Sequence, residues 1–283
     1  MLRRVAKLLH EPAFRRAPLT VIGRGVALAF NVALRRSPVF ELVPGARLRV
    51  PADLRFTSVT AYLLRDAVEP ELDYLQKFVG KGDVFVDVGA NVGLFTLKAA
   101  PRAGRVVAVE PGTEAGGQLD ANIALNSFRN VAVVRKALSD APGNAALFHN
   151  PLGHDPQAYS LVSDGSNAGS ETVELTTLDL LVRDLALPRV DCIKIDVEGA
   201  EGQVIAGASE TLAAYHPTVI FEMNCPTLVT AGGDTAAAWN RLAALGYRFE
   251  RLDDDGGLHP LAERPSDFMN IIARHPEGPA LRA

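Results

Sequence analysis

Two short stretches carry residues whose types and spacing could do chemistry. In the first, Asp87-Val88-Gly89-Ala90-Asn91-Val92-Gly93 follows the apolar run Val84-Phe85-Val86 and precedes the apolar-periodic Leu94-Phe95-Thr96-Leu97. A strand, a tight glycine loop and a helix in that order hold nucleotide-type ligands at the carboxyl end of a parallel sheet. Val106-Val107-Ala108-Val109-Glu110 reads as a second buried strand, and its terminal carboxylate is placed to accept hydrogen bonds from two ribose hydroxyls. The glycine spacing separates the ligands. A dinucleotide site needs G-x-G-x-x-G, because the backbone must approach a pyrophosphate. Here Asn91 stands where the second glycine would be, and Asp87 would repel a pyrophosphate while suiting an ammonium or sulfonium. S-adenosylmethionine (SAM) has a sulfonium, an α-amino group, a ribose and no phosphate, and fits all three facts. The plainer alternative is an ordinary βα turn, and Glu110 at the right distance weighs against it.

The second stretch is Asp191-Cys192-Ile193-Lys194-Ile195-Asp196-Val197-Glu198-Gly199-Ala200-Glu201. Strand alternation puts Cys192, Lys194 and Asp196 on one face and Ile193 and Ile195 on the other. Central parallel strands are normally apolar throughout, so Lys194 and Asp196 need a reason. A structural ion pair is one. A catalytic role is the other, favoured for Asp196 because this strand end should adjoin the glycine loop. Lys194, Glu198 and Glu201 are divided evenly between the two. The next strand ends Glu222-Met223-Asn224, so Asp196, Glu222 and Asn224 should lie at adjacent strand ends. Such oxygen donors suit Mg²⁺ with waters completing its shell; equally, Asp196 or Glu222 could be a general base without metal. The two readings stay open.

Alternating elements must position these residues. Strands are expected over 84–88, 106–110, 131–135, 190–195 and 218–223, and helices over 93–100, 114–125, 177–184, 200–213 and 235–245, a pattern that makes a parallel sheet covered on both faces. Runs at 247–252 and 268–274, with no helical pattern between them, read as an antiparallel pair closing the sheet. Phe40–Val50, around Pro44-Gly45, reads as a hairpin, and 69–78 as a helix ending at Gly80-Lys81-Gly82. Residues 142–170, rich in Gly, Pro, Asn, Ser and Asp, read as a long irregular segment, and His149–Ser170 is taken as the loop that meets the acceptor. Two units result: a basic helical arm and hairpin over 1–68, and a ligand-binding domain over 69–283.

Net charge divides unevenly. Residues 1–49 carry ten Lys/Arg against two Asp/Glu, a charge of +8, and the remainder carries −12. The acidic body argues against nucleic acid as a partner. Cys192 and Cys225 fall in apolar surroundings and read as buried thiols in a reducing, cytoplasmic compartment. Leu19–Leu34 is apolar but interrupted by Arg24 and too short to span a bilayer. It reads either as an arm packed on the body, which Pro12, Pro18 and Pro38 favour by dividing the segment, or as an interfacial helix against anionic lipid, in which case Arg15, Arg16, Arg35 and Arg36 would carry the attraction.

With these residues in hand, the chain resembles the FkbM family of SAM-dependent methyltransferases. The resemblance rests on FVDVGANVG (85–93), VVAVEP (106–111), NIALN (122–126), KALSD (136–140), TTLDLL (176–181), KIDVEGAE (194–201) and IFEMN (220–224), in the family's order. It implies a doubly wound, mostly parallel seven-stranded α/β sheet with an antiparallel last strand, and O-methylation of a hydroxyl, often on a sugar of a glycan, glycolipid or glycosylated natural product. By match, Asp87, Gly89, Asn91 and Gly93, with Ala90 in the same loop, would hold the methionine part of SAM. Glu110 would hold the ribose, and Ser139 and Asp140 would border the adenine. Asp196 is the expected base, then Glu222, with Lys194 orienting the acceptor or balancing charge and Glu198 beside them. The glycine-rich 112–117 departs from the family's bulkier polar stretch. Two other classes are kept: a SAM-binding scaffold without catalysis, and a nicotinamide-dependent oxidoreductase, which the glycine pattern and the missing Tyr-x-x-x-Lys disfavour.

Overall fold

The structure, a computed structural model, describes residues 14–15, 17–50, 56–65, 67–149, 159–163, 165, 169–223, 228–229 and 231–282. Asn224, Cys225 and the middle of the 149–170 segment lie outside the described residues. The first elements are α1 (Pro18–Ala33), the antiparallel hairpin β1 (Val39–Val43) and β2 (Ala46–Arg49), and α2 (Phe56–Leu64). Pro18 opens α1 rather than breaking it, because the first turn needs no N–H from that position. The hairpin is pinned to the rest of the protein by Asn126, whose side chain exchanges two hydrogen bonds of 2.7 Å with the Arg47 backbone. The helix expected over 69–78 is instead a single turn, α3 (Pro70–Asp73), followed by a 3-10 turn at Leu75–Lys77. The Asp73 carbonyl, which a continuing helix would use, accepts from Lys98 Nζ at 2.7 Å.

Alternation then begins with β3 (Val84–Val88), α4 (Leu94–Ala99), β4 (Arg105–Val109), α5 (Thr113–Asn126) and β5 (Val131–Val134). After β6 (Ala137–Leu138), β7 (Gly143–His149), β8 (Tyr159–Ser160) and β9 (Ser170–Thr176), it resumes with α6 (Leu178–Asp184), β10 (Cys192–Ile195), α7 (Glu201–Ala206), α8 (Ser209–Tyr215), β11 (Thr218–Met223) and α9 (Ala237–Ala244). The last elements are β12 (Arg248–Leu252), β13 (Leu258–Leu261) and β14 (Met269–Arg274). The main sheet runs β5-β4-β3-β10-β11-β14-β12-β13. Strands β5 to β11 are parallel, and β14 is antiparallel between β11 and β12. This is the expected doubly wound fold, with eight strands in that sheet among the described residues rather than seven, because β13 adds an edge to β12. Chain direction across the sheet reverses between β3 and β10, which makes their carboxyl ends the crevice for a ligand.

Two apolar layers cover the sheet. One packs Phe85, Val106, Cys192, Ile220 and Ile272 under α4, the β1–β2 hairpin and α2; the other packs Val86, Val107, Ile193, Val219 and Phe221 under α6 to α9. Cys192 is the buried thiol expected.

Three further sequence expectations need correction. Residues 142–170 are not irregular throughout: β7 and β9 pair along their length in a four-stranded second sheet, β6-β9-β7-β8. Gly143-Asn144-Ala145-Ala146 hid β7, although Val173 and Leu175 of β9 do alternate inward. The helix expected over 200–213 is two, α7 and α8. Gly207 lies so close to β6 that an added Cβ would be 2.1 Å from the Ser139 carbonyl oxygen, and the Asp179 carboxylate accepts from the Glu210 and Thr211 N–H groups to start α8 afresh. The second strand ends at Val109, leaving Glu110 in the loop beyond it.

Candidate active site

The glycine loop after β3 is shaped by three residues in the left-handed region: Gly89 (φ +78°), Asn91 (φ +51°) and Gly93 (φ +97°). Asparagine is one of the few L-residues that visits this region readily, which accounts for Asn91 in a glycine's place. Gly89 lets β3 and β10 meet, since an added Cβ would be 1.8 Å from the Asp196 carbonyl oxygen. Asn122 of the NIALN stretch holds the loop from α5, donating to the Val92 carbonyl at 2.9 Å. Glu110 does more than its position in sequence suggested. It is buried, and its two carboxylate oxygens accept from the backbone N–H groups of Asn91 and Gly112, each at 2.8 Å. Burial lifts its pKa to about 7, against the pull of those two N–H groups. Asp87 is also buried beneath the loop, accepting from Thr96 Oγ1 at 2.6 Å. Burial raises its pKa to about 6, opposed by the Thr96 bond and by the charge of Lys194.

Register assembles the rest. Asp87 of β3 is level with Lys194 of β10. One pleat further toward the carboxyl end on the same face come Gly89, Asp196 and Glu222, and Glu222 is level with Asn270 of β14. The Lys194 side chain is fully buried, 3.4 Å from Asp196 Oδ2 and 5.1 Å over the Phe95 ring. Burial opposes its charge, yet the carboxylates of Asp196, Glu69, Glu222 and Glu71 hold its pKa above the ordinary lysine range. Glu69 and Glu71 arrive with α3, and Asn270 Nδ2 donates to both, at 3.0 and 3.1 Å. Burial takes Glu69 to about 7 despite the attraction of Lys194.

Above this lysine, carboxylate oxygens of Asp196, Glu198 and Glu222 lie within 4.8 Å of one another. Glu222 is pushed well above the carboxylate range by burial, then by the charges of Asp196 and Glu198. Its Oε2 is buried and makes no hydrogen bond among the described residues. Asp196 differs: its side chain is 36% exposed, so it can meet a solute. Glu201, by contrast, is buried and ties the turn, accepting from the Gly199 and Val197 N–H groups at 3.1 and 3.3 Å. Glu198 itself is held at φ +54°, a strained conformation of the kind that collects at functional sites.

The described part of the 149–170 segment reaches the Glu198 turn: Ser160 of β8 donates through Oγ to the Glu198 carbonyl at 2.7 Å. Ser139 is buried against Gly207 and bonds to Asp140 and the Thr176 carbonyl, while Asp140 is exposed; among the described contacts none joins either residue to the glycine loop. Sequence reasoning missed Glu69, Glu71 and Asn270, whose partnership no local pattern encodes. It also missed Arg135, which lies against Gly116 of the departing 112–117 stretch. A Cβ on Gly116 would fall 0.8 Å from Arg135 Nη1, and this guanidinium bonds the Thr113 carbonyl and draws the Glu110 pKa down.

Residues 87–249 match the family described as the methyltransferase FkbM domain. The methyltransferase sdnD of Sordaria araneosa is 32% identical over 158 residues, which is 44% of this chain and 60% of that protein. The hexuronic acid methyltransferase AglP of Haloferax volcanii is 26% identical over 216 residues, 71% of this chain and 83% of that protein. A crystal structure of methyltransferase FkbM from Methylobacillus flagellatus superposes with a TM-score of 0.46 at 12% identity, covering 88% of this chain and 59% of that one. The family match takes in both chemical segments, the glycine loop and the acid-rich end of β10. The chain belongs to the FkbM methyltransferase domain family.

Proposed function

We propose that this protein is a SAM-dependent O-methyltransferase acting on a hydroxyl of a sugar, in a glycan, glycolipid or glycosylated natural product. The observation that carries it is the half-exposed Asp196 carboxylate at the switch point, beside a glycine loop and a lysine-neutralised acid cluster. The name of AglP, a hexuronic acid methyltransferase, supports a sugar acceptor.

The donor set fits SAM. The loop 89–93 is glycine-bearing, the nearby Asp87 and Asp196 favour a cation, and each Glu110 oxygen keeps a second lone pair for a ribose hydroxyl. Held by the 89–93 loop and Glu110, SAM would supply the methyl group, its bond to sulfur giving way to the new C–O bond with the electron pair left on sulfur. The chain's own contribution is positioning, worth roughly 7–11 kcal/mol when near-attack geometry is reached, together with a proton acceptor. Asp196 takes the hydroxyl proton. Burial pushes Glu222 beside it toward the protonated form, and Lys194 balances the charge of the cluster.

The reading separates the two acids. Asp196→Asn is expected to lower kcat about 10²-fold or more with the KM for SAM retained. Glu222→Gln, which copies a neutral acid, should keep most of the turnover. The assay is transfer of labelled methyl from SAM to a panel of uronic acids and neutral sugars. Near full turnover in Asp196→Asn would remove the base, and SAM affinity with no transfer to any sugar would reduce the protein to a binding scaffold.

A second reading is favoured by the convergence of Asp196, Glu198 and Glu222. Three oxygen donors at this spacing suit Mg²⁺, which would bring the acceptor hydroxyl to the same place. Loss of transfer with chelator and its recovery with Mg²⁺ would select this version; indifference to chelator would select Asp196 acting without metal.

A further inference from the structure

The feature of the molecule that its site does not use is the outward side of α1. Leu19, Ile22, Val26 and Phe30 follow one another at helical spacing and are 83%, 53%, 67% and 63% exposed. Gly23, Ala29 and Ala33, exposed and uncharged, fill the gaps between them. Among the described residues the helix is held to the body along its opposite edge, where Val21 and Leu28 are buried and Val32 packs on the core. Its one charged side chain, Arg24, is turned inward, donating to the Leu63 carbonyl at 2.8 Å. An uninterrupted apolar face of this kind marks an interaction surface.

The charges around it say what kind. No acid lies on α1, while Arg15 before it and Arg35 and Arg36 after it are exposed. The surrounding 1–49 carries +8 in total. A second copy of the chain would set basic ends against basic ends in either a parallel or an antiparallel pairing of this face. Residues 1–13, with Arg3, Arg4 and Lys7 against Glu11, would bring further positive charge to an arginine-rimmed surface. An anionic lipid surface is the partner that satisfies both the apolar face and the rim. The described helices include none long and apolar enough to cross a membrane. At about 24 Å for sixteen residues, α1 has the form of a helix that lies in the interface.

We propose that α1 is an interfacial anchor: Leu19, Ile22, Val26 and Phe30 enter the boundary between headgroups and acyl chains, while Arg15, Arg35 and Arg36 engage lipid phosphates. The anchor adjoins the acceptor side of the molecule. It rests on the last turn of α2, and the chain leaving α2 delivers Glu69 and Glu71 to Asn270 at the carboxyl end of the sheet.

The test is co-sedimentation of the full chain with vesicles of phosphatidylcholine alone or with a third of phosphatidylglycerol, alongside light scattering in the absence of lipid. Pelleting with the anionic vesicles alone is expected, weakened by high salt. Ile22→Ser/Val26→Ser/Phe30→Ser should reduce the bound fraction at least ten-fold with an unchanged unfolding midpoint, because these side chains are exposed in the free protein. Arg15→Glu/Arg35→Glu/Arg36→Glu should do the same through the charge. Three results would overturn the anchor: no pelleting of the unaltered chain, pelleting indifferent to the serine substitutions, or a dimer that those substitutions dissociate in a protein that ignores vesicles. None of these outcomes depends on the methyltransferase reading.

Discussion

Lys194→Met is expected to destabilise the protein by about 3–5 kcal/mol, the usual cost of removing one partner from a buried ion pair, and to do so more at pH 8 than at pH 5. The lysine is the cation at the centre of Glu69, Glu71, Asp87, Asp196 and Glu222. Burial raises Glu69 to about 7 and Asp87 to about 6 in the folded protein, against ordinary values of 4.5 and 3.8. Both folded values are raised, so the folded state binds more protons than the unfolded one between these limits. The stability they contribute is therefore complete below about pH 4 and is lost as pH rises through 6 to 7. Lys194 draws both values down, so without it they rise further and the decline continues into the alkaline range. Unfolding midpoints at pH 5, 6.5 and 8 check this. Equal losses at all three would mean that the side chain matters for its packing and not for its charge.

Gly89→Ala should cost roughly 4 kcal/mol or more. The residue is in the left-handed region, and the new Cβ would be 1.8 Å from the Asp196 carbonyl oxygen, which is backbone and cannot rotate aside. Relief requires β3 and β10 to part at the place where the glycine loop meets the acid cluster, so any SAM affinity should fall with stability. Gly82→Ala is the control: its φ is also positive, +86°, but nothing lies within 4 Å of an added Cβ. The difference between the two variants, in denaturant midpoint, isolates the collision from the conformational strain. Equal costs would mean that β10 yields easily and that the close approach does not constrain the site.

Much of this organisation is legible in the sequence where the physics is local. Val84-Phe85-Val86 and Ile193 with Ile195 are β-branched or aromatic runs bounded by acids and glycines, so both central strands and their loops follow from pattern alone. Alternation likewise put Lys194 and Asp196 on the same face. What stayed hidden depends on distant partners. Glu69 and Asn270 are 201 residues apart in sequence, and nothing near either predicts the other. Gly207 reads as a tolerated glycine within a helix until Ser139 is seen against it. Glu110 has the position of a ribose ligand, and only the Asn91 and Gly112 backbones reveal that it also braces the loop. The sequence expectation for β7 failed because a weakly apolar strand shielded by its own small sheet needs no strong alternation.

The place of β14 has a consequence for how the protein is made. This strand is the last of the sheet to leave the ribosome, yet it is seated inside it, between β11 and β12. Until Met269–Arg274 emerge, those two parallel strands have no common neighbour, and Glu69 and Glu71 wait without Asn270. Assembly must close contacts some two hundred residues apart, the kind of topology that folds slowly. Nascent chains therefore spend their synthesis with an open sheet, dependent on whatever shields exposed strand edges in the cell. A chain halted at residue 268 should be a substrate for proteolysis, however intact its glycine loop.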